Sequence, residues 1–291
     1  MKEHNASNRH MLAIVDLALA EDIGTGDITS QSTVGPDVRA AASMLVKQAG
    51  TVFGLDVAET VFWRVDPSLE FQRHIADGTA VEATAVIATI EGRARSILMA
   101  ERVALNFIQR LSGVATITAE YVATISGTRA RVVDTRKTTP GMRVLEKRAV
   151  LAGGGHNHRF GLSDGVLIKD NHLAAVGEPD RVVRAISLAR SHAPHTLQIE
   201  VEVTTLAEVR EALDAGADAI MLDNMTPADM IEAVRLVNGQ VLLEASGGIT
   251  LANLVEVAQT GVDLISIGHL THSAPSLDIS LNFQLSPVPG A

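Results

Sequence analysis

Arg136, Lys137, His158, Arg159 and Lys169 all fall within the stretch Asp134–Asn171 of a chain whose formal net charge is −10. Cations gathered in an acidic chain serve a local purpose, and guanidinium and ammonium groups together suit a small ligand with several negative charges. Arg136 and Lys137 precede Thr138-Thr139-Pro140, where a strand must end, so a merely solvated role is unnatural for them. Lys169 closes the apolar run Val166-Leu167-Ile168, and its ammonium has to leave that run to reach water or a ligand. The triplet Gly153–Gly155 permits a mobile or tightly turned loop that delivers His158 and Arg159. Arg143, Lys147 and Arg148 share a helical pattern with Glu146 and are expected to form a solvated face.

Acidic chemistry follows further along the chain. Glu200 and Glu202 lie two apart in Gln198–Val203, so on a strand they share one face while Ile199, Val201 and Val203 share the other. An inward carboxylate needs a partner. Either Glu200 or Glu202 can pair with Lys169 as a buried salt bridge, a role that suits Glu200 better, and Glu202 with the strand-end Asp223 suits oxygen ligation of a metal. Two carboxylates plus substrate phosphate oxygens suit Mg²⁺, which takes few protein ligands and keeps several waters. Ser246-Gly247-Gly248 and the segment Ile267–Ser273, which holds Gly268, His269 and His272, place small residues at two strand ends, where backbone N–H groups can approach a phosphate. Plain turn glycines are the alternative reading. His272 is placed to donate to the phosphate; His269 suits the surface equally well. The chain has no cysteine, which excludes disulfides, thiolate metal sites and a thiol nucleophile.

These groups need a scaffold that brings strand ends together. Short apolar runs at Arg131–Asp134, Val166–Lys169, Gln198–Val203, Ala219–Leu222, Val241–Glu244 and Leu264–Ile267 read as strands. Met142–Leu151, Arg181–His192, Leu206–Ala215, Pro227–Leu236 and Leu251–Gln259 read as the helices between them, punctuated by Thr226-Pro227 at a start and by Gly216 and Gly261 at stops. This alternation predicts a parallel sheet, closed as a barrel or doubly wound. The polar residues sit at the carboxyl ends of the strands, the face on which parallel barrels carry their sites. The first part of the chain differs. A helix over Met11–Glu21, strands at Ala40–Lys47, Thr51–Leu55, Glu70–His74 and Ala80–Ile90, and a long helix over Ser96–Leu111 indicate a smaller α+β domain. We set it at 1–114, with 275–291 packing on it, and the catalytic domain at 115–274; SPVPGA at the end reads as a loose tail.

In order and spacing, EDIGTGDIT (Glu21–Thr29), ERVALNFIQRLSGVAT (Glu101–Thr116), DTRKTTPGMR, GGGHNHRFGLSDGVLIKDNH, EVEV, LDNM, EASGGI and IGHLTHS resemble the quinolinate phosphoribosyltransferase family over nearly the whole chain. The resemblance implies an α/β protein: an open seven-stranded α/β barrel of the type II phosphoribosyltransferases with an N-terminal α+β sandwich domain. Six strands are legible above, so one is missing from that reading. The resemblance further implies transfer of a phosphoribosyl group from phosphoribosyl pyrophosphate to quinolinate with loss of CO₂, and a homodimer or larger assembly in which Arg102 reaches the neighbouring chain's site. By composition alone Arg102 would be a solvated helix residue. At the matching positions, Arg102, Arg136, His158, Arg159 and Lys169 look like the dicarboxylate pocket, and Lys137 like a ligand of the pyrophosphate substrate. Glu202 and Asp223 look like the metal and ribose residues. Ser246, Gly247, Gly248 and Gly268, with His272 beside them, look like the 5-phosphate cradle. Ala245 and His269 depart from the commoner wording without removing a donor.

Three other functions remain open on sequence. A related transferase could act on nicotinate, although several cations favour a diacid. A metal hydrolase could use His156 and His158 as an H-x-H pair. A silent paralogue could bind a phosphorylated ligand, although Lys137, Lys169, Glu202 and Asp223 are all present. The polar start and the lack of a long apolar run predict a soluble, cytoplasmic protein, and the acidic balance argues against nucleic acid.

Overall fold

The computed structural model of the protein describes residues 6–285, and the expected loose tail lies outside them. The chain divides into two compact units: the described residues of Met1–Ala119, Thr138–Gly154 and Ser273–Ala291 form one, and Glu120–Lys137 with Gly155–His272 form the other.

The first unit begins with helices α1 (Ala6–Ile23) and α2 (Ile28–Thr33), followed by strands β1 (Arg39–Val46) and β2 (Gly50–Val52) and helix α3 (Leu55–Val65). Strands β3 (Glu70–Arg73), β4 (Thr79–Val81) and β5 (Val86–Arg93) lead into the long helix α4 (Ala94–Thr124), whose end enters the second unit. Helix α3 departs from the reading of this region as strands without helical crossovers. Its run of Val57, Thr60, Val61, Phe62, Trp63 and Val65 is poor in intrinsic helix formers. Burial of Leu55, Val57, Ala58, Val61 and Phe62 at helical spacing decides the matter instead. Its first turn is held by a residue distant in sequence: Asp77 Oδ1 accepts from Gly54 N at 2.8 Å and from Leu55 N at 3.0 Å. Helix α4 continues well past Leu111, through the β-branched stretch after Gly113, because Val114, Ala115 and Thr118 are fully buried. Gly113 is required there, since a Cβ would stand 1.9 Å from the carbonyl oxygen of Pro275.

The second unit carries the parallel sheet. After β6 (Arg131–Val133) the chain returns to the first unit for α5 (Arg143–Ala152), then runs through β7 (Val166–Ile168), α6 (Asp170–Val176), α7 (Arg181–His192) and β8 (Ile199–Val203). Then follow α8 (Leu206–Asp214), β9 (Ala219–Asp223), α9 (Pro227–Val237), β10 (Leu242–Ser246), α10 (Leu254–Gln259), β11 (Leu264–Ser266) and α11 (His269–His272). The strand order is β6-β11-β10-β9-β8-β7, so the first strand pairs with the last. A single parallel bridge between Val133 and His156 extends the free edge of β6, through hydrogen bonds from His156 N to Val132 O and from Asp134 N to His156 O. It is the only trace of a further strand among the described residues, and it is too short to be read from periodicity. Strand β12 (Ile279–Leu285) belongs to the first unit, whose four-stranded antiparallel sheet has the order β12-β1-β5-β3. Among the described residues no helix is long and apolar enough to cross a membrane.

Helix α5 corrects the expectation of a solvated basic face. Glu146 is fully buried and Lys147 is 3% exposed. Glu146 accepts from Arg110 Nη2 at 2.8 Å and from the Thr139 amide and hydroxyl. Arg148 pairs with Asp56 at 2.6 Å and stacks over Phe53. The same helical spacing that suggests surface ion pairs serves an interior network once both sides of the helix are covered.

Candidate active site

A cavity of about 320 Å³ opens at the carboxyl end of the parallel sheet, lined among others by Arg136, Lys137, His158, Arg159, Lys169 and Ser246. All the cations singled out between Asp134 and Asn171 therefore meet around one space. Its volume lies at the lower end of small-molecule sites. Lys137 follows β6 and is held from behind: the buried Thr271 hydroxyl donates to Lys137 O at 2.7 Å. Gly268 lies against Lys137 and His272, since a Cβ on it would stand 3.0 Å from Lys137 Cδ and 3.1 Å from His272 Cδ2.

His158 is clamped at its backbone and at both ring nitrogens. The fully buried Asp134 accepts from His158 N at 2.8 Å. The Arg159 amide donates to His158 Nδ1 at 2.7 Å. Nε2 lies 3.1 Å from Glu200 Oε2 and 3.6 Å from Glu244 Oε2. Arg159 donates from Nη1 to Gly165 O, while its buried Nε has no partner among the described residues. Burial and the neighbouring Arg136 hold the Arg159 guanidinium below its usual pKa.

Ile199, Val201 and Val203 are buried and Glu200 and Glu202 face the other way, as alternation predicts. Of the two possible pairings the less favoured one is found: Lys169 Nζ bonds Glu202 Oε2 at 2.5 Å, and Glu200 lies against His158. Register supplies the reason. Ile168 lies beside Val201, which brings the next residue, Lys169, level with Glu202. Asp223 ends β9 beside Ser246, and its Oδ2 accepts from Asn224 Nδ2 at 3.0 Å. Glu202 and Asp223 each have a second carboxylate oxygen. That donor set fits Mg²⁺ completed by waters and phosphate oxygens. The set of three metal-spaced groups found among the described residues is a different one, His158, Glu200 and Glu244, with ligand atoms within 4.8 Å of one another. The H-x-H reading gains no support from this geometry: His156 is exposed and outside that set.

The Ser246-Gly247-Gly248 turn leaves β10 with φ of +92° at Gly247 and +60° at Gly248. A Cβ on Gly247 would stand 2.3 Å from the Asn224 side chain. Asn253, at the start of α10, spends its side chain on this turn: Oδ1 accepts from Thr250 N and Nδ2 donates to Gly248 O. Residues 251–253 are consequently a turn, and the helix expected from Leu251 starts at Leu254. Gly247, Gly248, Gly268, His272, Glu202 and Asp223 do not line the cavity described above. Arg102 lies exposed on α4.

Glu244 is the functional candidate that the sequence reading missed. It lines the cavity, is 1% exposed, and is raised from 4.5 to about 7 by burial first and then by the charge of Glu200. The signal was available: Glu244 lies two residues before Ser246 on one strand and so shares its face.

The quinolinate phosphoribosyl transferase C-terminal domain model matches residues 114–282, and the N-terminal domain model of the same family matches residues 27–112. The chain is 47% identical over 266 residues to a Bacillus subtilis (strain 168) protein named "Probable nicotinate-nucleotide pyrophosphorylase (carboxylating)", covering 91% of each. The nicotinate-nucleotide pyrophosphorylase structure from Francisella tularensis has a TM-score of 0.89 at 41% identity, over 95% of this chain and 97% of that one. NadC from Streptococcus pyogenes has a TM-score of 0.90 at 42% identity, over 94% and 96%. With both halves of the chain matched, and a cationic cavity at the sheet's carboxyl end, the chain belongs to the quinolinate phosphoribosyl transferase family.

Proposed function

We propose that the protein transfers a phosphoribosyl group from phosphoribosyl pyrophosphate to quinolinate with decarboxylation, giving nicotinate mononucleotide, pyrophosphate and CO₂ for NAD biosynthesis. The observation that carries this reading is the one cavity that Arg136, Lys137, His158, Arg159 and Lys169 line together. Guanidinium forks and an ammonium in a half-buried site suit a planar diacid. Nicotinate, with one carboxylate, would leave part of that charge unmatched.

The roles follow from position. Arg136, Arg159, His158 and Lys169 hold the two carboxylates and aim the ring nitrogen. That nitrogen attacks C1 of the ribose as the bond from C1 to the pyrophosphate oxygen breaks, and the developing ribosyl cation is stabilised by Glu202 or Asp223. Lys137 neutralises the departing pyrophosphate. The C2 carboxylate next to the cationic nitrogen then leaves as CO₂. Its electron pair remains at C2, which takes up a proton. Ser246, Gly247, Gly248 and Gly268 offer the 5-phosphate a backbone surface, with His272 beside it. Glu202 and Asp223 would hold Mg²⁺, which supplies charge neutralisation of phosphate oxygens. We assign the active form as at least a homodimer, with Arg102 completing the neighbouring chain's pocket, and place the protein in the cytoplasm.

One incubation with quinolinate, phosphoribosyl pyrophosphate and Mg²⁺ tests the function. Nicotinate mononucleotide and CO₂ are expected in equal amounts. Folded protein that forms the nucleotide from nicotinate but not from quinolinate would refute it.

A further inference from the structure

Two carboxyl groups, Glu200 on β8 and Glu244 on β10, converge on the ring of His158, whose Nδ1 accepts the Arg159 amide. Glu200 Oε2 lies 3.1 Å from Nε2 of that ring. Glu244 has the Ser266 hydroxyl as a hydrogen-bond partner and Oε2 at 3.6 Å from the same nitrogen, while its Oε1 is buried without a partner among the described residues. An ionised carboxylate at 1% exposure with an unpartnered oxygen would be poorly solvated, and protonation removes that cost.

We propose that the acid pocket binds its dianionic ligand together with one proton, and that this proton resides on Glu244. The inference rests on the diacid reading above and deepens it. The groups facing Glu244 are His158 from the loop before β7, Glu200 on β8, Lys169 at the end of β7 and Ser266 on β11; Arg136, Lys137 and Arg159 line the same cavity. Glu200 favours the protonated acid, whereas His158, Ser266 and Lys169 favour the anion. These opposing influences leave Glu244 close to half-ionised in the empty pocket near neutrality, at about 7. A bound dianion adds negative charge to the cavity that Glu244 lines, and so shifts the group to its neutral form. Neutral Glu244 keeps His158 between an acid and a carboxylate, which holds the ring in place. The coupling is reciprocal: above the pKa of the empty pocket, each pH unit weakens ligand binding by up to about tenfold.

Calorimetric titration of the whole protein with quinolinate, in buffers of different ionisation enthalpy, reads this proton directly. The wild type is expected to take up close to one proton per quinolinate at pH 8 and far less at pH 6, with Kd rising between them. Glu244→Gln is expected to abolish the uptake and flatten Kd against pH, whereas Glu244→Ala weakens binding by roughly tenfold at every pH through loss of the group beside His158. No uptake by the wild type at pH 8 overturns the proposal without recourse to any variant. Uptake that survives in Glu244→Gln places the proton elsewhere and overturns it equally. A protein that does not bind quinolinate at any pH refutes the diacid reading, and this inference with it.

Discussion

Two carboxylate arrangements of opposite character engage residues that line the cavity. At one, Lys169 and Glu202 form a one-to-one ion pair, with the lysine side chain 45% exposed. At the other, Glu200 and Glu244 share His158, and Glu244 is almost wholly cut off from water. Glutamates of identical chemistry thus sit in different surroundings, and burial raises the pKa of Glu244 to about 7. Access to water and the presence of a true cation make the difference, not residue type. The first arrangement can give its ammonium to a substrate, because solvent and a ligand carboxylate compensate Glu202. The second can give only its proton.

Removing the cation of the exposed pair should have the largest effect. Lys169→Ala is expected to lower kcat/KM for the quinolinate reaction about a hundredfold, or ~3 kcal/mol of transition-state stabilisation. Steady-state kinetics on folded variant check this, and unchanged turnover would remove Lys169 from the site. The buried arrangement should show itself next, in stability against pH. Glu244 has a folded pKa raised from 4.5 to about 7, so the native state binds more protons than the unfolded chain between those values. Its contribution is greatest below pH 4.5 and is lost as pH climbs towards 7. Glu244→Gln should escape that loss, gaining on the wild type by about 2 to 3 kcal/mol across the interval. Urea unfolding of both proteins at the two ends of the interval measures it; a constant difference would mean that Glu244 is ionised throughout. The smallest effect is expected from Glu202→Gln on stability, within about 1 kcal/mol, because the lysine end of the pair is 45% exposed and water can solvate the freed ammonium. A larger loss in the same unfolding experiment would make the two arrangements alike.

Much of the second unit was legible because its strands alternate with capped helices. Pro227 follows its cap Thr226, and Gly216 and Gly261 end helices at φ of +80° and +94°, where glycine is the natural residue. The inward carboxylates of β8 follow from period two alone. Helix α3 was not legible, because its cap is Asp77, more than twenty residues downstream, and its residues favour strands. The basic face of α5 was misread for a related reason: local spacing shows which residues share a face but not what covers it.

The sequence by itself determined the family, the parallel-sheet class, the cations around the cavity and the face on which Glu200 and Glu202 stand. These depend on residue order, strand alternation and turn chemistry, all of which act over a few residues. Tertiary structure decided which glutamate each cation meets and which glutamate keeps a proton. Lys169 reaches Glu202 through the register of β7 on β8, and Glu244 meets His158 only when β10 and the loop before β7 converge. Charge state in a protein interior is set by neighbours and lost water, and neither is local in the chain.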